Sequence, residues 1–182
     1  MPTLIIGLGN EFAGDDGIGI RVARVLVESH LSPDIDVIVR PSLGFGLLDA
    51  METSERIVLV DAMSMGGEAG ACVVYDAITG GHSRSVVSCS HLFGIADVLE
   101  VARRLSSGHA LASVQVVGIE GVHFDDCDTE LSAPVRAALP VAVETVLNLV
   151  AADDSVRTRA RDNCAKWMQR DPTSVEVCEF RR

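Results

Sequence analysis

LIIGLGNEFAGDDGIGIRV, residues 4–22, is the stretch of this chain that decides its fold. An apolar strand runs into a glycine turn, and two adjacent carboxylates, Asp15 and Asp16, follow where a helix begins. Acids are favoured there because a helix N-terminus carries partial positive charge. Strand, turn and helix in this order predict the first unit of an α/β protein.

We expect the glycines of this stretch to lie where the backbone turns tightly or packs closely. Gly7 and Gly9 allow a tight turn after the strand, while Gly17 and Gly19 let the first helical turn pack closely against its neighbour. Each glycine weakens a helix by about 1 kcal/mol relative to alanine, so helix propensity does not explain them.

The amino-acid composition limits which classes of fold and of partner fit this chain. With 182 residues the chain is expected to form one main domain with a substantial core. Because aromatic residues make up only 4% of it, that core is built from valine, leucine, isoleucine and alanine. The net charge of −11 argues against nucleic acid or an anionic membrane as partner and favours a basic segment or a metal cation.

The cysteines point to a reducing compartment. Five of them are widely spaced without a C-x-x-C pair, which indicates neither a disulfide framework nor a cysteine-rich zinc site. No secretory signal is recognisable, and no segment reaches the ~18 uninterrupted apolar residues of a membrane span. We expect a cytoplasmic protein without a membrane partner.

Short apolar runs alternate with helical-period segments along the chain. This alternation predicts a three-layer α/β/α sandwich around a mainly parallel, twisted sheet. A weaker fifth strand candidate, Ala71–Tyr75, is expected to pair in antiparallel orientation at an edge of the sheet. The four principal strands are predicted at Thr3–Leu8, Ile35–Arg40, Arg56–Val60 and Ser113–Ile119.

Two later helices are predicted, at Ser90–Leu105 and from Ser132 to about Ala152. Pro140 lies inside the second one. Because proline removes a helical hydrogen bond and clashes with the preceding turn, we expect a kink or two short helices there.

The composition changes after residue 152. Residues 153–182 hold six acidic and seven basic residues, a net charge of +1, whereas residues 1–152 carry −12. Apolar residues are sparse in this last segment. We therefore interpret 1–152 as the α/β domain and 153–182 as a charged tail, partly disordered or loosely docked.

Three polar residues are candidates for one site, because loops at the carboxyl ends of parallel strands meet at one edge of the sheet. Asp16 follows the first strand, Asp61 follows the third, and His91 begins a helix. Two carboxylates and an imidazole suit a divalent transition metal such as nickel, zinc, iron or manganese. Three protein ligands leave positions open for a partner molecule, as in catalytic sites.

Each candidate also has a structural interpretation. Asp16 could be only a helix cap, and His91, which follows Ser90, could belong to another. Asp61 points more strongly to a site, because a carboxylate at a buried strand end is costly unless paired, solvated or bound. One further loop could be either a second metal site or a solvated acidic loop, and we favour the solvated loop. Its residues are His123, Asp125, Asp126, Cys127 and Asp128.

A nucleotide site is excluded. A strand followed by Gly7-x-Gly9 matches the start of a dinucleotide fingerprint, but Phe12 occupies the third glycine position and the two acids would repel a pyrophosphate. There is no P-loop, and the only lysine is Lys166. No organic cofactor is expected.

Four segments together resemble the hydrogenase maturation proteases. They are GLGNEFAGDDGIGIRV at 7–22, VLVDAM at 58–63, SHLFGIADVL at 90–99 and VVGIE at 116–120. The resemblance spans about residues 3–150. It implies a compact α/β endopeptidase that removes a C-terminal peptide from the precursor of a [NiFe] hydrogenase large subunit once nickel is installed.

The resemblance also implies roles for residues. Asp16, Asp61 and His91 contact nickel supplied by the substrate, and they act catalytically by positioning the scissile bond, polarising its carbonyl or activating a water. Asp15 becomes a cap or a supporting partner.

The resemblance further implies a substrate surface: Gly7, Gly9, Asn10 and Gly17 leave room for an incoming peptide. One departure from the family pattern is VRPSLGFG at 39–46, which places Arg40 and Pro41 where a glycine-rich segment is expected.

Two other functions fit the same three residues. One is a non-proteolytic metal chaperone or scaffold that checks nickel insertion in the precursor. The other is a small-molecule hydrolase, which needs a bound metal without any protein partner.

Overall fold

The computed structural model describes residues 2–42, 46–77, 101, 104, 113–125 and 127–169, and these form a five-stranded sheet with helices beside it. The predicted helix Ser90–Leu105, apart from two of its residues, and His91 lie outside these ranges. The strands are β1 (Thr3–Leu8), β2 (Ile35–Arg40), β3 (Arg56–Met63), β4 (Cys72–Asp76) and β5 (Ser113–Glu120). Their order in the sheet is β2-β1-β3-β5-β4.

The strand directions confirm the predicted fold class. β1 runs parallel to both β2 and β3, β3 runs parallel to β5, and β4 pairs with β5 in antiparallel orientation at the edge. The edge strand lies one residue later than Ala71–Tyr75.

Helices cover both faces of this sheet. The helices of the described residues are α1 (Ile18–Glu28), α2 (Gly46–Thr53), α3 (Ala133–Leu149) and α4 (Asp154–Gln169). A 3-10 turn at Gly14–Gly17 leads into α1, and the apolar sides of α1, α3 and α4 pack on one face, while α2 packs on the other. The predicted three-layer arrangement is therefore confirmed.

Helix α1 lies unusually close to the ends of β1 and β3. A Cβ atom added at Gly19 would stand 2.3 Å from the carbonyl oxygen of Leu8 and 2.4 Å from that of Val60. A Cβ atom at Gly7 would stand 2.4 Å from the Gly19 carbonyl oxygen. The helix can therefore approach the sheet only where both partners lack a side chain.

Helix α3 is one helix from Ala133 to Leu149, with Pro140 inside it. Of the two outcomes expected at this proline, two short helices are therefore wrong, and a kink stays a prediction. Burial explains why the helix persists. Val135 and Leu139 before the proline, and Val143 after it, are all buried against the sheet, so tertiary packing stabilises both halves.

Helix α4 differs from the expectation of a loosely docked tail. Its apolar residues form one narrow stripe, and Val156, Ala160 and Cys164 are buried in the core on the α1 face. Arg159 donates hydrogen bonds to the carbonyl oxygens of Ser29 (2.8 Å) and His30 (3.2 Å), where α1 ends. Residues 170–182 lie outside the described ranges.

Among the described residues, none of the helices combines the length and apolar character needed to cross a membrane.

The contact between α1 and the sheet predicts a large effect for one added methyl group. Gly19→Ala should lower the free energy of unfolding by about 1–3 kcal/mol, because the two carbonyl oxygens that meet the new Cβ belong to rigid strand backbone. Gly46→Ala, at a helical glycine with no atom within 4 Å of the added Cβ, should raise it by about 0.5 kcal/mol. Urea unfolding of both variants measures the difference, and equal effects would contradict the packing argument.

Candidate functional site

Asp16 lies where the chain leaves β1. It is 7% exposed, and its Oδ2 accepts a hydrogen bond of 2.7 Å from the amide of Asn10. The chain reverses at Gly9, whose φ of +135° is rarely adopted by other residues, and a Cβ atom there would stand 1.9 Å from the Asp16 carbonyl oxygen. The missing side chain of Gly9 thus lets the backbone of Asp16 lie close to the end of β1.

Asp61 lies on the neighbouring strand and is fully buried. The prediction ended β3 at Val60, but pairing with β5 continues, with Asp61 opposite Gly118, so β3 runs three residues further. Pairing with β1 stops at Val60, opposite Gly7. Asp61 is therefore one residue beyond the end of that pairing, beside the turn that carries Asp16.

The structure thus brings two of the three predicted site residues to one edge of the sheet. Asp16 and Asp61 both lie at the carboxyl ends of adjacent parallel strands, where ligands bind in open α/β sheets. His91, the third, lies outside the described residues. Within the described part of the chain, no group of three or more histidines, cysteines or acids is close enough to hold a metal ion.

Asp15, the neighbouring acid, joins its own turn to the loop between β5 and α3. Its fully buried carboxylate accepts hydrogen bonds from the amides of Val122 (2.9 Å), His123 (3.0 Å) and Ser132 (2.6 Å), and from the Ser132 hydroxyl (2.9 Å). No side-chain hydrogen bond from Asp15 caps α1. Because four donors satisfy a buried carboxylate, this network stabilises the loop before α3.

A third carboxylate at the same edge was not singled out from the sequence. Glu120, at the end of β5, is 2% exposed, and its Oε1 accepts hydrogen bonds from the amides of Met65 (2.8 Å) and Gly67 (3.0 Å). It pairs in register with Met63, so its side chain shares a sheet face with that of Asp61. The available signal was the one that identified Asp61: an acid that directly follows an apolar strand.

The predicted substrate contacts fall into two groups. Gly7 and Gly17 are buried, and the space beside them is occupied by the chain itself, at Ala23 and Glu11 respectively. Asn10 is exposed at the candidate edge. A contact with an incoming peptide stays a prediction for all of these positions.

Two further sequence features lie in other loops. Arg40 ends β2 and is exposed, as is Pro41, while residues 43–45 lie outside the described ranges. The loop that contains His123 is described except for residue 126, and His123 forms contacts with acids there: Nε2 lies 2.6 Å from Asp128 Oδ2, and Nδ1 lies 3.4 Å from Asp125 Oδ2.

These contacts shift two protonation equilibria. The hydrogen bond that Nε2 of His123 donates to the Asp128 carboxylate raises the pKa of His123, and the charge of Asp125 acts in the same direction. The hydrogen bond from the backbone amide of Glu130 lowers the pKa of Asp128, and the hydrogen bond with His123 lowers it further. The loop therefore favours a charged imidazolium, which is not a metal ligand.

Comparison with known proteins identifies consistent relatives. The profile of a family described as hydrogenase maturation protease (HycI) matches residues 20–149. The hydrogenase expression/formation protein HupD of Rhizobium leguminosarum bv. viciae is 26% identical over 153 residues, which cover 81% of this chain and 73% of that protein.

Two solved structures are similar over most of their length. The [NiFe] hydrogenase maturation protease HybD from Thermococcus kodakarensis has a TM-score of 0.63 at 28% identity and covers 82% of this chain and 99% of its own. The hydrogenase maturating endopeptidase HybD from E. coli has a TM-score of 0.68 at 24% identity, covering 83% and 93%, and supports the fold.

The Asp15 network predicts a loss of stability on an isosteric change. Asp15→Asn should lower the free energy of unfolding by about 3 kcal/mol, because the amide NH2 cannot accept and leaves a buried N–H without a partner. The control Asp36→Asn, at an exposed position of β2, should change it by less than about 0.5 kcal/mol. Chemical denaturation checks both, and a stable Asp15→Asn protein would contradict the structural role.

The His123 ion pair predicts a pH dependence. Because the pKa of His123 is raised in the folded state, its contribution to stability is complete below its unfolded pKa and is lost as the pH rises through the folded value. NMR titration of the imidazole should give a pKa above 6.5, and Asp128→Asn should bring it down towards that value. No change in Asp128→Asn would contradict the assignment.

Proposed function

The chain belongs to the hydrogenase maturation protease family, and we propose that it removes a C-terminal peptide from the nickel-loaded precursor of a [NiFe] hydrogenase large subunit. In this proposal the substrate's nickel is the recognition signal, and Asp16, Asp61 and His91 contact it. Peptidase chemistry is supported by relatives that are named maturation proteases.

The observation that carries the proposal is the meeting of two acids at one sheet edge. Asp16 comes from the turn after β1 and Asp61 from β3, and both side chains are buried. Burial lowers the local dielectric constant and so strengthens the attraction between a carboxylate and a divalent cation. A cation that arrives with the substrate therefore binds here more strongly than at a solvated acid.

The donor set suits nickel that keeps ligands from the substrate. Carboxylate and imidazole donors accept a borderline divalent metal, and three protein donors do not complete its coordination shell. Nickel bound between substrate and protease polarises a neighbouring carbonyl group or orients the scissile bond.

The surrounding residues hold the two acids in place. The Asn10 amide orients the Asp16 carboxylate, and the continued pairing of β3 with β5 fixes the backbone of Asp61. Such preorganisation lowers the reorganisation needed when the substrate arrives. These residues position the acids and do not themselves react.

We place this reaction in the cytoplasm. Cys72, Cys127 and Cys164, the three cysteines in the described part of the chain, are all free thiols, as expected in a reducing compartment. The acidic net charge supports a protein partner over nucleic acid or a membrane.

The deciding experiment mixes purified protein with nickel-loaded and nickel-free precursors and follows precursor mass. We expect the loaded precursor alone to shorten. Asp16→Asn, Asp61→Asn and His91→Gln should each lower the cleavage rate by about 100-fold or more, the loss typical when a polar group at the reacting centre is removed. Asp36→Asn, at an exposed acid away from the edge, is the control and should cleave normally.

Other outcomes separate the competing functions. Binding of the loaded precursor without any change in its mass would favour the chaperone. Equal cleavage of both precursors would overturn nickel recognition while leaving the protease. Normal cleavage by Asp16→Asn and Asp61→Asn would show that these acids do not take part in the reaction.

A further inference from the structure

Four large apolar side chains stand exposed in the loops after β1, β3 and β5. Phe12 follows β1 and is 55% exposed, Met65 follows β3 and is 47% exposed, and Val122 (60%) and Phe124 (39%) follow β5. The carboxyl ends of these parallel strands meet at one edge, which is also the edge of the candidate site. We call these four side chains the apolar rim.

The positions of the phenylalanine residues support the apolar rim as an interaction surface. The chain has five phenylalanines, and the two that lie in described ranges, Phe12 and Phe124, are both in the rim. Neither belongs to the buried core of the described residues, whose members are aliphatic or sulfur-containing side chains. Exposed aromatic residues grouped with other apolar residues are typical of protein interaction surfaces.

The backbone under the rim is held by buried carboxylates. The Val122 amide donates to Asp15, and the Met65 amide donates to Glu120, at 2.9 and 2.8 Å. Because these loops are ordered before a partner arrives, binding costs little conformational entropy of the backbone. The rim is therefore a preformed surface.

Charge indicates the chemistry of the partner. Residues 9–17, 64–71 and 121–132, the three loops that carry the rim, contain eight acidic residues and no lysine or arginine. Two of these acids pair with arginines of the adjacent helices α1 and α3: Glu11 with Arg24, and Glu130 with Arg136. Glu68 and Asp125 are exposed among them. An apolar surface bordered by acids is complementary to a segment with apolar and basic side chains.

We propose that the apolar rim holds a segment of the hydrogenase precursor that combines apolar and basic side chains, and so delivers the scissile bond to the edge of the sheet. This inference rests on the proposed function. It names the surface that recognises the precursor's polypeptide, in addition to its nickel.

A pair of matched valine variants tests the rim. Val122 in the rim and Val141 on α3 are almost equally exposed, at 60% and 57%. Val122→Ser should raise the KM for the nickel-loaded precursor about fivefold, with kcat within twofold, because the contact is uniform binding energy. Val141→Ser should leave both constants unchanged. Phe12→Ser should raise KM by about 10-fold or more, as expected for an aromatic contact.

The charge prediction has its own matched pair. Glu68→Gln should raise KM about threefold at low salt, and the difference should vanish at high ionic strength. Glu52→Gln, an exposed acid at the far end of α2, should have no effect. Equal effects of the two variants would overturn the basic character of the bound segment.

The outcomes also distinguish this inference from the proposed function. Normal cleavage with unchanged KM in Val122→Ser and Phe12→Ser would overturn the rim and leave the protease intact. If wild-type protein does not cleave the precursor, the dissociation constant of their complex is measured instead, and weakening by Val122→Ser but not Val141→Ser supports the rim. A wild-type dimer in sedimentation that Phe12→Ser dissociates would assign the rim to a second copy of this chain and overturn the inference.

Discussion

The close approach of α1 to the ends of β1 and β3 is the constraint on which the rest of the structure depends. Gly7 and Gly19 lie where strand and helix meet, and their missing side chains allow carbonyl oxygens of one element to contact the backbone of the other. This approach brings the turn at Gly14–Gly17 over the sheet edge. If the helix lay further away, Asp16 would no longer reach the end of the strand that carries Asp61.

Neighbouring acids in this turn have different functions because their side chains face different surroundings. Asp15 accepts four hydrogen bonds in a buried position and joins its own turn to the loop that precedes α3. Asp16 accepts the Asn10 amide and stays at the edge. A buried carboxylate is stable only when donors or a cation satisfy it, so the first acid is a structural group, while the proposed contact with the substrate's nickel falls to the second.

Preorganised loops link the two proposals. Glu120 and Asp15 accept hydrogen bonds from backbone amides of the surrounding loops. These bonds hold the loops in one conformation, in which their apolar side chains are exposed. In the proposed function such a surface adds specificity, because a rigid docking site recognises the polypeptide of the precursor whereas the three proposed nickel contacts recognise only the metal. The acids in these loops exclude anionic partners and favour a basic segment.

By itself, the sequence determined the fold class, the strand positions and the edge at which Asp16 and Asp61 meet. These follow from local rules: short apolar runs give β1 and β2 at their predicted bounds, and parallel strands gather their carboxyl ends. Tertiary structure alone decided the extension of β3 through Asp61, the docking of α4 and the partners of Asp15. Pairing with β5 extends β3, and a narrow apolar stripe in a charged segment becomes buried only when α1 lies beside it. The amides that Asp15 binds are more than 100 residues away in the chain, so no local pattern reveals them.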